Sequence, residues 1–346
     1  MKPEVIRRDP AGIRSLEGAV LVADVRDSLG RVRLGRGTLI GADERIVLEG
    51  LAWESLHVVR PEGDDVLESD AGGRLAAAAA GAGVRAGDAA GGHWPLVSTR
   101  RGIVELQSEA LLAVNGPGEL AVYTVGDGQV VDQDEVVARA KIIPFVVGGA
   151  ALERGLAACG RRGGLIAVRA FVPERIGVVV LESLGSSAFG RFRAAIDEKA
   201  AWFGSSVLEP CVVGRTARSV AAAFEGVLSS GAGVVLVAGT AAMDPLDPAF
   251  EALRLLNGRL ERVGVPAHPG SLLWLGRLGE VSVIGMPSCG LFSRATVFDL
   301  VLPRLLSGLP VDSTWLASLG QGGLLTRDVA ARFPPYRPRQ ERGAVE

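Results

Sequence analysis

Two textures of apolar residues divide the chain. From about residue 172 onward, short unbroken apolar runs alternate with stretches whose apolar residues recur every three or four positions. RIGVVVLE (175–182), GVVLVA (233–238) and VSVIGM (281–286) read as strands buried on both faces, and 207–213 as a further strand. Between and after them, 188–203, 216–229, 248–257 and 293–306 have helical spacing. Strands alternating with helices call for a parallel sheet covered on both sides. Residues 173–312 are therefore expected to form a three-layer α/β domain with a mostly parallel sheet.

The first 172 residues predict a mixed, β-rich α+β region. Residues 18–23 and 56–60 read as strands, the glycines at 35 and 37 as a turn, and Asp43 as the N-cap of a short helix. Residues 74–80 form an Ala-rich helix, 84–100 are loop-like, and 107–114 are helical before the turn 115–118. Extended runs at 120–125 and 136–147 flank Gly126-Asp-Gly128. Residues 313–346, rich in glycine and late prolines, read as an irregular tail, and no internal repeat is seen.

Composition narrows the function classes. Of the 346 residues, 39 are acidic and 37 basic, for a formal net charge of −2. No global positive field exists to hold a nucleic acid or an anionic membrane. No apolar run reaches the length of a membrane span, and the charged start MKPEVIRRDP is no secretory signal. Three scattered cysteines and three scattered histidines offer neither a disulfide framework nor a zinc spacing, so a cytoplasmic protein is expected.

The candidate chemistry sits in loops. Three bends of small residues each follow a buried strand and precede a helix: Gly185-Ser-Ser187, Gly239-Thr-Ala-Ala242 and Ser288-Cys-Gly290. Small residues admit close approach, and the amides of the next helix face an anion with the positive end of its dipole behind them. Three such bends at one sheet edge would cradle a phosphorylated small molecule, although none is a Walker loop or a complete GxGxxG. Asp244 is the candidate catalytic residue and the candidate ligand for Mg²⁺. Asp247, directly before Pro248, reads as a helix cap. His268 reads as a surface loop residue and Cys289 as a small packing residue, since no base is paired with it. Arg215, Arg218 and Arg277 are within reach of phosphates or are plain solvated charges. Lys141, inside an apolar run, does not suit a lipoyl or biotinyl carrier, whose lysine sits at a turn tip.

Taken together, these stretches resemble the molybdopterin-binding domain family, which includes the molybdenum-insertion and adenylyltransferase proteins of molybdenum cofactor synthesis. The family's third strand ends in a Gly-Thr-Ser-x-Gly-Asp-type turn, here Gly239-Thr-Ala-Ala-Met-Asp244. Its Pro-Gly loop corresponds to Val265-Pro-Ala-His-Pro-Gly270, its Leu-Gly-Arg-like strand to LLWLGRL (272–278), and its Gly-Leu-Pro-Gly-Asn turn to Gly285-Met-Pro-Ser-Cys289. The likeness is closest to the molybdopterin-binding region found fused ahead of a cofactor nucleotidyltransferase, where Cys commonly replaces that Asn. RLGRGTL (33–39), VARAKIIPF (137–145) and FDLVLPRLLSGLPV (298–311) fit this subgroup, so the likeness runs over about residues 18–312.

Departures are as informative. The insertion family's Thr-Gly-Asp-Glu turn is replaced by Glu182-Ser-Leu-Gly-Ser186, and the Lys of its Pro-Gly-Lys-Pro loop by Ser271. Without that Asp and Lys, metal-assisted adenylate cleavage or molybdate insertion is harder to sustain than pterin phosphate binding. The resemblance implies a molybdopterin-binding protein of cofactor biosynthesis or delivery. Its expected contacts are Ser186, Ser187, Gly239, Thr240, Ala241, Pro269, Gly270, Ser271, Pro287, Ser288 and Cys289, with molybdenum insertion as the enzymatic variant. A homo-oligomer is expected, partnered by a cofactor nucleotidyltransferase or a molybdoenzyme. Two rivals stay open: a metal-dependent hydrolase or transferase of a phosphorylated nucleotide-like substrate, and a scaffold that kept the fold and lost its ligand.

Overall fold

In a computed structural model, residues 1–160, 163–181, 186–286, 296–325 and 333–336 are described, the side chains of Ser186 and Ala188 excepted. The chain is a mixed α/β protein that divides into two units. One comprises 1–100, 104–127 and 132–168, and the other 101–103, 128–131 and 169–346.

The first unit contains a three-stranded and a four-stranded antiparallel sheet besides two-stranded pairs. Lys2–Arg7, Ser55–Arg60 and Val20–Leu21 form one, with the 55–60 strand central. In the other, Leu120–Thr124, Val136–Ile142, Trp94–Ser98 and Val84–Ala86 lie in that order. Helix Glu68–Ala79 packs on this second sheet, and a Cβ on its Gly72 would come within 2.2 Å of the Trp94 ring. Residues 84–100 thus contain two strands, Val84–Ala86 and Trp94–Ser98. Their glycines and Pro95 mask an alternation that buries Trp94 and Leu96. Helix Ala42–Glu49 is capped by Gly41, with Glu44 accepting the Gly41 N–H at 3.0 Å, so Asp43 lies inside the first turn and is not the cap.

Cys159 is fully buried in helix Gly149–Gly160, and burial pushes its thiol up to about 11. It is therefore expected to stay unmodified by iodoacetamide at neutral pH in the folded chain and to react once urea opens the unit. Peptide mass mapping of the alkylated sites checks this, and rapid native labelling of Cys159 would contradict the burial.

The second unit runs β1 (Arg175–Val180), α1 (Ser186–Trp202), β2 (Ser206–Val207), β3 (Cys211–Val212), α2 (Ala217–Ser229), β4 (Val234–Ala238), α3 (Pro248–Leu255), β5 (Arg259–Val263), β6 (Trp274–Leu278), β7 (Val281–Gly285), α4 (Phe298–Leu306) and α5 (Ser313–Ser318). Its seven-stranded sheet is partly parallel. β2 and β3 both pair with β1, β1 with β4, and β4 with β7, all in parallel, whereas β7–β6 and β6–β5 are antiparallel. The expected single strand 207–213 is two short ones, because Pro210 between them has no N–H to give the ladder. Alternation along β1 and β4 explains the layers. Ile176, Val178, Val180 and Leu236 pack with Phe192 and Ile196 of α1 and Phe298 and Leu302 of α4. Val179, Val235 and Val237 pack on the other side with Val220 and Phe224 of α2 and Phe250 and Leu253 of α3. The region expected to be wholly irregular from 313 opens with a helix, α5, whose cap Asp312 accepts the Trp315 N–H at 2.8 Å. Among the described residues no helix is long and apolar enough to cross a membrane.

Candidate functional site

The carboxyl ends of the parallel strands of the second unit stop in one row. Val180 faces Ala238, and Val237 faces Gly285. Antiparallel β6 begins at that row, with Trp274 opposite Gly285, so the 264–273 loop reaches the same edge. The loop after β4 and the Pro269–Ser271 segment are therefore neighbours at one rim. Helix α1, which follows β1, covers one face of the sheet, and α3, which follows β4, covers the other. Helices on opposite faces thus follow these adjacent strands, the kind of switch point at which open α/β sheets place ligands.

The loop after β4 is held rigidly. Gly239 adopts φ +81°, where a side chain would strain the backbone. Its carbonyl accepts from the Arg215 guanidinium. Asp247, completely buried, organises the remainder. Oδ1 accepts the Ala249 N–H at 2.9 Å and caps α3, while Oδ2 accepts the Ala241 N–H at 2.7 Å and pairs with Arg215 at 3.3 Å. The indole of Trp274 donates to Thr240 Oγ1 at 3.0 Å. That tryptophan is fully buried edge-on against Phe250, with ring centroids 5.2 Å apart. A Cβ at Gly285 would lie 1.7 Å from its Nε1, so glycine is required there. Sequence reasoning missed Trp274 and Gly285 as supports of this loop. The only cue was a large aromatic within LLWLGRL facing a strand that ends in glycine.

This geometry revises several expectations. The Ala241 amide is spent on Asp247 and is no donor for a guest, because capping α3 and closing the loop use the same carboxylate. Among the described residues the Thr240 N–H has no partner, and Thr240 is only half-buried. Arg215 is exposed and Arg277 half-buried, and both are already engaged within the fold. Arg215 braces the loop, and Arg277 donates to Ser282 Oγ and to the Val311 carbonyl and pairs with Glu261. At the Pro269–Ser271 bend, Gly270 has φ +116° and its absent Cβ would meet Val297 at 2.9 Å. The Pro269 carbonyl accepts the Val297 N–H at 3.0 Å, which fixes the bend to the start of α4. Beside Ser271 and the exposed His268 lies an open cavity of about 330 Å³ lined by Val265, Ala267, Gly320 and Leu324. The backbone of Ser186 opens α1, and Ser187 Oγ accepts from Arg191 at 2.7 Å. The first bend's Gly185, and Pro287, Ser288 and Cys289 of the third, lie outside the described residues.

Among the described residues no magnesium cage is assembled around Asp244. That exposed carboxylate accepts the Leu246 N–H at 2.9 Å, its neighbour Asp247 is buried in other bonds, and no group of three acidic, histidine or cysteine side chains converges among the described residues.

A buried ionic cluster stands beside the third loop's exit into α4, and sequence reasoning missed it. Lys199 of α1 donates to Asp299 Oδ1 at 2.5 Å, and the Tyr336 hydroxyl donates to the same oxygen at 2.8 Å. Asp299 Oδ2 accepts from the Thr296 N–H and hydroxyl at 2.8 and 3.1 Å. Burial, then the facing carboxylate, raises the Tyr336 phenol well above its ordinary value.

No protein-family model matches the chain, and no curated protein does. Among solved structures it is similar to a molybdenum cofactor biosynthesis protein from Pyrococcus furiosus, with 12% identity over 89% of this chain and a TM-score of 0.26. The chain spans 65% of that protein's length. It is also similar to the MoeA molybdopterin biosynthesis protein from Pyrococcus horikosii (12% identity, 88% of this chain and 75% of that one, TM-score 0.31). A putative molybdenum cofactor biosynthesis protein from Corynebacterium diphtheriae shares 14% identity over 40% of this chain and 100% of its own, with a TM-score of 0.28.

Proposed function

We propose that the chain is a molybdopterin-binding protein of molybdenum cofactor biosynthesis or delivery, and that it holds the pterin's phosphate at the crevice between the loops after β1 and β4. The observation that carries this reading is the braced loop at Gly239–Ala241, at the point where the chain leaves adjacent parallel strands toward opposite faces. A loop fixed before binding loses little entropy when a ligand arrives. Among the described residues the Thr240 N–H has no partner and is offered to a phosphate oxygen, and Pro269, Gly270 and Ser271 border the same edge. The motif likeness over residues 18–312 supplies the identity of the ligand. Ser186, Ser187, Pro287, Ser288 and Cys289 complete the proposed contacts. Asp244 is kept as a candidate acidic group at the rim, without a role in holding the phosphate. The bound pterin would pass to a cofactor nucleotidyltransferase or a molybdoenzyme.

Titration of the purified chain with molybdopterin, and with AMP and ADP-ribose in parallel, with and without Mg²⁺, tests the reading. Molybdopterin is expected to bind without Mg²⁺. Thr240→Asp, which sets a carboxylate where the phosphate would lie, is expected to weaken binding at least about tenfold at unchanged thermal stability. Asp244→Ala should leave pterin affinity within about twofold. Binding of AMP or ADP-ribose alone, with hydrolysis abolished by Asp244→Ala, would replace this reading with the metal-dependent hydrolase.

A further inference from the structure

The first unit carries a cationic cluster that the rim does not use. Arg139 and Lys141 occupy alternate positions of strand Val136–Ile142, opposite Tyr123 and Ala121 on one side, with Arg139 opposite Pro95 on the other. Continuing that register by one residue sets His93 beside Lys141. Ala140 and Trp94, one residue along, point to the side packed on helix 68–79, so these groups share the face turned away from that helix. The rings of His93 and Tyr123 meet edge-on at 6.1 Å across the strand that bears both cations.

Three features of this face are unfinished. Nδ1 of His93 is buried and has no hydrogen-bond partner. The described bond of Lys141 Nζ is long, 3.5 Å to the Gly92 carbonyl. Neither Lys141 nor Arg139 forms an ion pair among the described residues. The nearby carboxylate is Glu68, whose Oε1 lies 3.0 Å from where a Gly92 Cβ would stand, on the turn side of the cluster. Burial first, then the charges of Lys141 and Arg139, hold His93 below its ordinary value, and Glu68 opposes them only in part. Buried polar atoms are hydrogen-bonded as a rule, and neighbouring cations repel unless an anion joins them.

We infer that His93, Arg139 and Lys141 form a binding site for the phosphate group of a small phosphomonoester. An ammonium, a guanidinium and an imidazole share one face of adjacent strands, and a phosphate, with more charge and more acceptor oxygens than a carboxylate, suits such a set better. The ammonium and guanidinium donate to phosphate oxygens, and the bound anion stabilises the neighbouring His93 as imidazolium. Tyr123, half-exposed, walls one side with an aromatic ring, while Glu68 repels a second anionic group and accepts an N–H or O–H from the ligand's body. The site belongs to the first unit and does not rest on the molybdopterin reading of the rim.

Proton NMR titration of the histidine C2–H signals tests this in the full chain, with inorganic phosphate, phenyl phosphate and, as an ionic-strength control, chloride. The His93 signal is assigned by its loss in His93→Gln. Either phosphate is expected to move that signal and raise the His93 pKa by about one unit, since a nearby anion favours imidazolium. Lys141→Gln or Arg139→Gln should weaken the response about tenfold or more, as loss of a charge-assisted hydrogen bond does. Thr240→Asp should leave it unchanged, which separates this site from the rim. A stronger response to phenyl phosphate than to inorganic phosphate, lost in Tyr123→Ala, marks the ester as the ligand class. An unmoved His93 signal in the unaltered chain, an equal response to chloride, or an undiminished response in a folded Lys141→Gln/Arg139→Gln chain would overturn the inference.

Discussion

Asp299→Ala is expected to destabilise the second unit by about 3–5 kcal/mol, the usual cost of removing one partner of a buried ion pair. For a unit of this size that lowers the melting temperature by roughly 10 °C. Lys199 and Asp299 are 5% and 0% exposed, so water does not replace the lost carboxylate. The ammonium would remain between the rings of Phe298 and Tyr336, 5.6 and 5.4 Å from their centroids. Asp299 also closes the first turn of α4 through Thr296, so its removal frays the helix that the third loop enters. Lys199→Met combined with Asp299→Asn should recover part of the loss, because no charge is then stranded. Urea and thermal unfolding followed by circular dichroism measure both variants. A loss below about 1 kcal/mol for Asp299→Ala would mean that the pair is solvated and contributes like a surface bridge. The same cluster has a pH signature. Its raised phenol keeps Tyr336 protonated in the folded state, so the contribution is fully present below about pH 10, the unfolded value, and is lost as pH rises toward the folded one. Tyr336→Phe should flatten the alkaline limb of the stability profile.

Gly285→Ala should damage stability and the rim together. Its new methyl would stand 1.7 Å from Nε1 and 2.0 Å from Cε2 of Trp274, and the indole has nowhere to retreat in a core shared with Phe250 and Leu253. Overpacking of this severity falls at or beyond the upper end of the usual range, about 3 kcal/mol. Displacing the indole also removes the hydrogen bond to Thr240, so pterin binding is expected to fall with stability. Trp274→Phe separates the two effects. It keeps an aromatic ring against Phe250 and loses the N–H, at a cost of about 1–2 kcal/mol, with binding reduced more than folding. If Gly285→Ala melts with the parent chain and binds as it does, the close approach of strand and indole is not the constraint described.

Much of the second unit was legible in sequence because buried parallel strands and amphipathic helices leave opposite signatures, continuous apolar runs against a three-to-four spacing. Val234–Ala238 and Ala217–Ser229 are plain examples. The misreadings have local causes. Pro210 split a run of apolar residues into two strands, and in residues 84–100 glycine-rich turns concealed the strand Trp94–Ser98. Glu44, reaching back to the Gly41 amide, displaced Asp43 as the cap.

Sequence alone determined where the loops fall, that Asp247 before Pro248 caps a helix, and which stretches carry the molybdopterin-family likeness, because spacing, capping and turn chemistry act over a few residues. Tertiary structure alone decided which donors are already used. Ala241 gives its amide to a carboxylate six residues on, Arg215 reaches a loop 24 residues away, and Lys199 meets Asp299 across 100 residues. Hydrogen bonds are short and saturable, so whether a group faces a ligand or a neighbour depends on distances that chain separation does not encode.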